Sequence, residues 1–111
     1  MSAIPPNEAL VELADILGEE DTKDLVRTFL QDFPNLVKVL QTGDPEAQKR
    51  TAHSLKSTAR HMGALALSRK MALYEQRLSE PGALALTGDD VMQVVEEFEK
   101  SAGPLRAYAK A

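Results

Sequence analysis

Residues 44–63 read DPEAQKRTAHSLKSTARHMG, a run that carries its own helix start and its own helix stop. Asp44 is a residue type that caps helix N-termini, and Pro45 falls at the first helical position, where a missing N–H breaks no intrahelical bond. Gly63 is placed to close the far end, because glycine readily adopts the left-handed conformation of a terminal turn. The spacing therefore predicts a helix over residues 45 to about 62. On a wheel at about 100° per residue, Ala52, Leu55, Ala59 and Met62 share one narrow sector, the seam that faces a core.

The sequence on either side has the same helical grammar. Upstream, a helix is expected to start near Glu20 or Asp21, placing Leu25, Phe29, Leu30, Phe33, Leu36, Val37 and Leu40 at intervals of three and four before Gly43. Pro34 conflicts with that pattern, since it lacks a donor and crowds the preceding turn, and a kink or brief irregularity is expected there rather than two separate helices. Further upstream, a short lid-like helix after Pro5-Pro6 carries Leu10, Leu13, Ile16 and Leu17 and stops at Gly18. Downstream, a helix from 64 to about 80 carries Ala64, Leu67, Met71, Tyr74 and Leu78 before Pro81-Gly82. The last begins near Thr87, which can cap together with Asp90, and carries Val91, Val94, Val95 and Phe98. Gly103-Pro104 interrupts that helix, and the course of residues 105–110 stays open. No segment alternates with period two. The expectation is an all-α protein, an up-down antiparallel four-helix bundle with a short additional N-terminal helix.

Composition sets the outer bounds. A chain of 111 residues with 43% hydrophobic and 27% charged residues suits a single domain over 1–111, with no room for a separate nucleotide-binding lobe. No stretch approaches the roughly 20 apolar residues of a membrane span, and the start MSAIPPNEAL is unlike a signal peptide. Cytoplasmic residence is the resulting expectation, and the absence of cysteine fits a reducing compartment. A net charge of -4 argues against a nucleic-acid partner.

Away from the apolar seam, Lys49, Arg50, His53, Lys56, Ser57 and Arg60 occupy the opposite sector of the same wheel, which places His53 within a basic, solvent-facing stripe. An exposed imidazole at neutral pH is mostly uncharged and offers a ring lone pair for attack on phosphorus. Lys56, three residues on, is a helical neighbour whose ammonium can reach the oxygens of a phosphoryl group on His53. Ser57 is small and leaves room above the ring, and its hydroxyl can add a hydrogen bond. By pattern alone this stripe is also what an ordinary solvated surface looks like. His61 lies two turns beyond His53 and well around the wheel, and no partner at helical spacing completes a metal site with either histidine.

The run Ala52-His53-Ser54-Leu55-Lys56-Ser57-Thr58-Ala59-Arg60-His61-Met62-Gly63-Ala64 resembles the signature of histidine phosphotransfer (HPt) domains. That signature reads His-x-Leu-Lys-Gly, two small residues, a short gap, an apolar residue and Gly-Ala. By this resemblance His53 stands at the phosphorylated histidine, Leu55 at the core leucine, Lys56 at the phosphate-stabilising lysine and Gly63-Ala64 at the helix-ending pair. Tyr74-Glu75 falls at the family's apolar-Glu position in the next helix, and Phe29 and Phe33 match the preceding one. Ser57 departs from the usual glycine, a small-for-small change.

The resemblance implies a phosphoryl carrier of a two-component phosphorelay, rather than a true enzyme with ATP-binding activity. Response-regulator receiver domains and a histidine kinase or hybrid kinase are the implied partners. Lys49, Arg50, Arg60 and Gln31 are candidate partner-binding residues, although Gln31 is read as a plain surface glutamine before a residue that orients the imidazole or phosphate. Leu10, Leu13 and Ile16 are read as core or lid before docking residues. No cofactor or metal is expected on the chain itself, Mg2+ belonging to the receiver, and a monomer is expected. The competing reading is a docking module of the same shape whose histidine is never phosphorylated. A histidine kinase fragment lacks the nucleotide loop, and a metal or haem carrier lacks the ligand spacing.

Overall fold

Side-chain caps set where three of the helices begin. Asn7 Oδ1 accepts from Leu10 N at 2.9 Å, Asp44 Oδ1 accepts from Glu46 N at 3.1 Å, and Thr87 and Asp90 bond each other's backbone N–H groups at 3.1 and 2.9 Å. The computed structural model describes residues 4–111 as five helices: α1 (Glu8–Leu17), α2 (Glu19–Leu40), α3 (Pro45–His61), α4 (Leu65–Leu78) and α5 (Gly88–Lys110). No strand occurs among the described residues.

The helices α2, α3, α4 and α5 contact one another in a closed ring, each touching the next and α5 returning to α2. Among the described residues the backbones of the diagonal pairs α2/α4 and α3/α5 do not approach closely, and α1 lies against α2 and α3. Down the middle runs an apolar core that includes Val26, Phe29, Phe33, Leu55, Leu67, Met71, Val94 and Phe98. The Phe33 and Phe98 rings stack at 3.6 Å between centroids, with Phe29 tilted against Phe98 at 5.7 Å, so α2 and α5 are joined by aromatic packing. By contrast, the α3 seam is small, Ala52, Leu55 and Ala59 all being fully buried, which lets α4 approach closely.

Two expectations about buried faces change. Val26 is fully buried while Leu25 is 43% exposed, because the buried stripe of α2 runs Thr22, Val26, Phe29, Phe33 and Leu40. On α1, Leu10 is fully buried but Ile16 is 78% exposed, since only part of this helix reaches the core. As expected, α2 continues through Pro34 as one helix; the proline lies on the exposed face, where water can satisfy the carbonyl one turn back. Likewise α5 runs on through Gly103-Pro104 to Lys110 and buries Ala102, Leu105, Tyr108 and Ala109.

Gly63 is the one glycine with no room for a side chain. Its φ is +75°, and a Cβ there would fall 2.2 Å from the Asn7 carboxamide. That carboxamide caps α1 and also donates from Nδ2 to Met62 O at 2.9 Å, tying α1 to the end of α3. Gly63→Ala should cost about 2–3 kcal/mol, from left-handed strain of roughly 1–2 and displacement of a cap worth about 1. Thermal unfolding of the single variant against the Asn7→Ala/Gly63→Ala pair checks this. The two losses should be less than additive, because both remove the same contact.

At the other end, Asp90 is bound by Arg77 at 2.8 and 3.4 Å. That guanidinium, with the Thr87 backbone and hydroxyl contributing, holds the Asp90 carboxyl down to about 2, although burial opposes it. A carboxyl lowered by folding stabilises the protein above its unfolded value, and the contribution fades as pH falls toward the folded one. Stability should therefore fall between about pH 4 and pH 2, and Asp90→Asn should flatten that fall while costing about 1 kcal/mol at neutral pH. Denaturant titrations across this range measure both.

Candidate functional site

The third helix presents His53 to solvent because its neighbours Ala52 and Leu55 are drawn into the core. The imidazole side chain is 66% exposed, yet it is not loose. Its Nδ1 lies 2.5 Å from Glu75 Oε2, and the other oxygen of that carboxylate accepts from Lys56 Nζ at 2.6 Å. One carboxylate of α4 thus holds two side chains of α3. Lys56 can reach Glu75 because helical side chains lean toward the N-terminus of their helix, here back toward the level of His53.

The charge state of Glu75 decides what the ring can do. The Lys56 ammonium holds its carboxyl below the ordinary carboxylate range, against an opposing push from partial burial, and the His53 hydrogen bond lowers it further. Glu75 is therefore ionised at neutral pH and can only accept, so Nδ1 must be the protonated ring nitrogen. In the neutral ring, Nε2 then keeps its lone pair and faces solvent as a nucleophile. Lys56 commits one of its donors to Glu75, and no described residue accepts the others.

The other sequence-derived residues fall in several places. Lys49 and Arg50 line the same shallow cleft as His53 and Glu75, together with Glu46, in a space of about 320 Å³. Ser57 is half-buried on α3 and makes no side-chain hydrogen bond among the described residues. Arg60 lies in a separate groove beside α1, with Glu8, Glu12, Ile16, His61 and Leu65 among its neighbours. Gln31 is not brought beside His53; it lines a groove between α2 and α5 with Arg27, Arg106 and Lys110. Among the described residues no group of three or more His, Asp or Glu side chains is arranged to hold a metal ion.

Glu75 is the member of the site that helix-wheel reasoning passes over. The only signal for it in the sequence is its place at the apolar-Glu position of the family pattern, because 22 residues separate it from His53. A second feature has no local signal in the sequence: a mainly apolar groove of about 320 Å³ on the α2 side of α3, walled by Leu13, Leu25, Phe29, Leu36 and Met62 and edged by Thr28, Asp32, Asn35, Ser54, Thr58 and His61. Leu10 is fully buried, so the three apolar residues of α1 divide into core (Leu10), groove wall (Leu13) and exposed surface (Ile16).

The family model of the Hpt domain matches residues 24–104, a span that contains His53, Lys56 and Glu75 and leaves α1 outside. The chain belongs to the Hpt domain family. No curated protein and no solved structure matches it at a significant level. Among the described residues no helix is long and apolar enough to cross a membrane.

Proposed function

We propose that this chain is a phosphoryl carrier of a two-component phosphorelay, accepting a phosphoryl group on His53 Nε2 and passing it on. The observation that carries the reading is the exposed imidazole held through Nδ1 by an ionised Glu75. Attack by the Nε2 lone pair on the phosphorus of a receiver's phosphoaspartate forms an N–P bond. The P–O bond to the aspartate breaks, and the carboxylate leaves with its electron pair. No proton has to move: the Nδ1 proton stays on the ring, which becomes cationic, and the Glu75 carboxylate faces that new charge. The step is reversible: in donation a receiver's aspartate carboxylate attacks phosphorus, the N–P bond breaks and Nε2 regains its lone pair, so the same residues serve both directions.

Lys56 then offers its free donors to the phosphoryl oxygens, and Lys49 and Arg50 add positive charge toward an acidic receiver pocket. Ser57 provides clearance beside the ring. The divalent cation, Mg2+, is assigned to the receiver. The apolar groove flanking Ser54 and Thr58 supplies a dry surface on which a receiver can seat, with a histidine kinase or hybrid kinase as the other partner. Within the same reading the ring of contacts among α2 to α5 is an up-down antiparallel bundle, the chain is one domain and a monomer, and it resides in the cytoplasm.

The test is incubation with a phosphorylated receiver, or with a kinase and ATP, followed by an assay for alkali-stable, acid-labile phosphate and peptide mapping. Label on His53 is expected. A chain that stays unlabelled under both regimes would be a docking module instead.

A further inference from the structure

Among the described residues three side-chain hydrogen bonds join α3 to α4, and two of them end on Glu75. The third is Ser68 Oγ to the backbone carbonyl of Lys56, at 2.8 Å. A hydroxyl inside a helix ordinarily turns back to its own chain, as Thr22, Thr58 and Ser79 do toward the carbonyl four residues earlier. Ser68 instead reaches across to the neighbouring helix, and it does so from a buried position. Ser68 lies seven residues before Glu75, two turns along the same stripe of α4. Helix α4 therefore grips α3 at two levels, once on a fixed backbone atom and once on the reactive side chains.

Both helices otherwise contribute apolar side chains to the shared core. Ala52, Leu55 and Ala59 meet a face carrying Leu67 and Met71, and such packing has no directional preference. A hydrogen bond does have one. We propose that Ser68 is a positioning residue for His53: by fixing the rotation and rise of α4 against the Lys56 carbonyl, it delivers the Glu75 carboxylate within reach of both His53 Nδ1 and Lys56 Nζ. This rests on the phosphoryl-carrier reading for its kinetic consequence, but its structural consequence, the tautomer of His53, is independent of that reading.

The experiment is Ser68→Ala, with Ser68→Thr as the variant that restores a hydroxyl. Alanine is a strong helix former, and the Lys56 carbonyl keeps its own helical donor, so the alanine variant should fold. Long-range 1H–15N spectra of the neutral ring should show the Nδ1–H tautomer in the unmodified protein. In Ser68→Ala the balance should move toward the Nε2–H form that free imidazole side chains favour, and Ser68→Thr should recover it. With phosphoramidate as donor, the rate of His53 phosphorylation should fall about tenfold in the alanine variant, with little change in thermal midpoint. An unchanged tautomer in Ser68→Ala overturns the proposal, whatever the rate does. Failure of the unmodified protein to take phosphate would count against the carrier reading alone, and the tautomer would still decide the role of Ser68.

Discussion

His53→Gln should abolish phosphoryl acceptance while leaving the protein folded. Glutamine has no ring lone pair of comparable nucleophilicity, so the loss should be complete rather than graded. Its carboxamide can still donate to Glu75, which keeps that carboxylate from losing a partner. The side chain is largely solvent-exposed, and a surface change of this kind moves stability by no more than about 0.5 kcal/mol. Residual label in the variant would have to sit elsewhere, and the only other histidine is His61. That ring lines both the groove on the α2 side of α3 and the groove beside α1, and it has no ring hydrogen bond among the described residues to select a tautomer. Matched helicity by circular dichroism, with no alkali-stable phosphate in the variant, is the expected pair of results. A labelled variant would remove His53 from the centre of the mechanism.

How far the sequence can be read depends on whether the deciding contacts are local. Helix α3 was legible because Asp44, Pro45 and Gly63 mark its ends and its seam, Ala52, Leu55, Ala59 and Met62, is buried as the wheel requires. The end of α5 was legible in principle too: Phe98, Ala102, Leu105 and Ala109 recur at four, three and four, a stripe that passes straight through Pro104. Pro104 reads locally as a break in that stripe, although on an exposed face it removes only one helical donor. Other features have no local signal. Gln48 is fully buried because its carboxamide donates to Leu40 O at 2.8 Å and accepts from Leu86 N at 2.9 Å, joining the end of α2 to the loop before α5. Those partners lie on different elements, so a polar residue at that position reads as surface. Leu25 and Val26 are adjacent and both apolar, and only the rotation of α2 on its neighbours decides which one faces inward. Glu75 belongs with them, since its role exists only once α4 is set against α3.

Glu75→Ala should lower the rate of His53 phosphorylation by about 10²-fold, the lower range for loss of a positioned acid–base group. Two effects combine. Without the acceptor, the neutral ring no longer keeps its proton on Nδ1, and every ring protonated on Nε2 is unreactive. The cationic ring formed by transfer also loses the carboxylate that faces it, which raises the barrier in both directions. Glu75→Gln separates the two, because a carboxamide oxygen can still accept from Nδ1 but carries no charge, so it should fall between alanine and the unmodified protein. Lys56→Ala acts on the same pair from the other side. It releases Glu75 from the ammonium that holds its carboxyl low, so that carboxyl should titrate nearer its ordinary range. The Glu75 side-chain carboxyl, followed by its 13C shift against pH, should therefore titrate below the ordinary carboxylate range in the unmodified protein and nearer to that range in Lys56→Ala. Single-turnover rates of transfer from a phosphorylated receiver at neutral pH, compared for all three variants, measure the kinetic effects. If Glu75→Ala transfers as fast as the unmodified protein, the carboxylate is a structural tie between α3 and α4, and the nucleophile is selected by solvent alone.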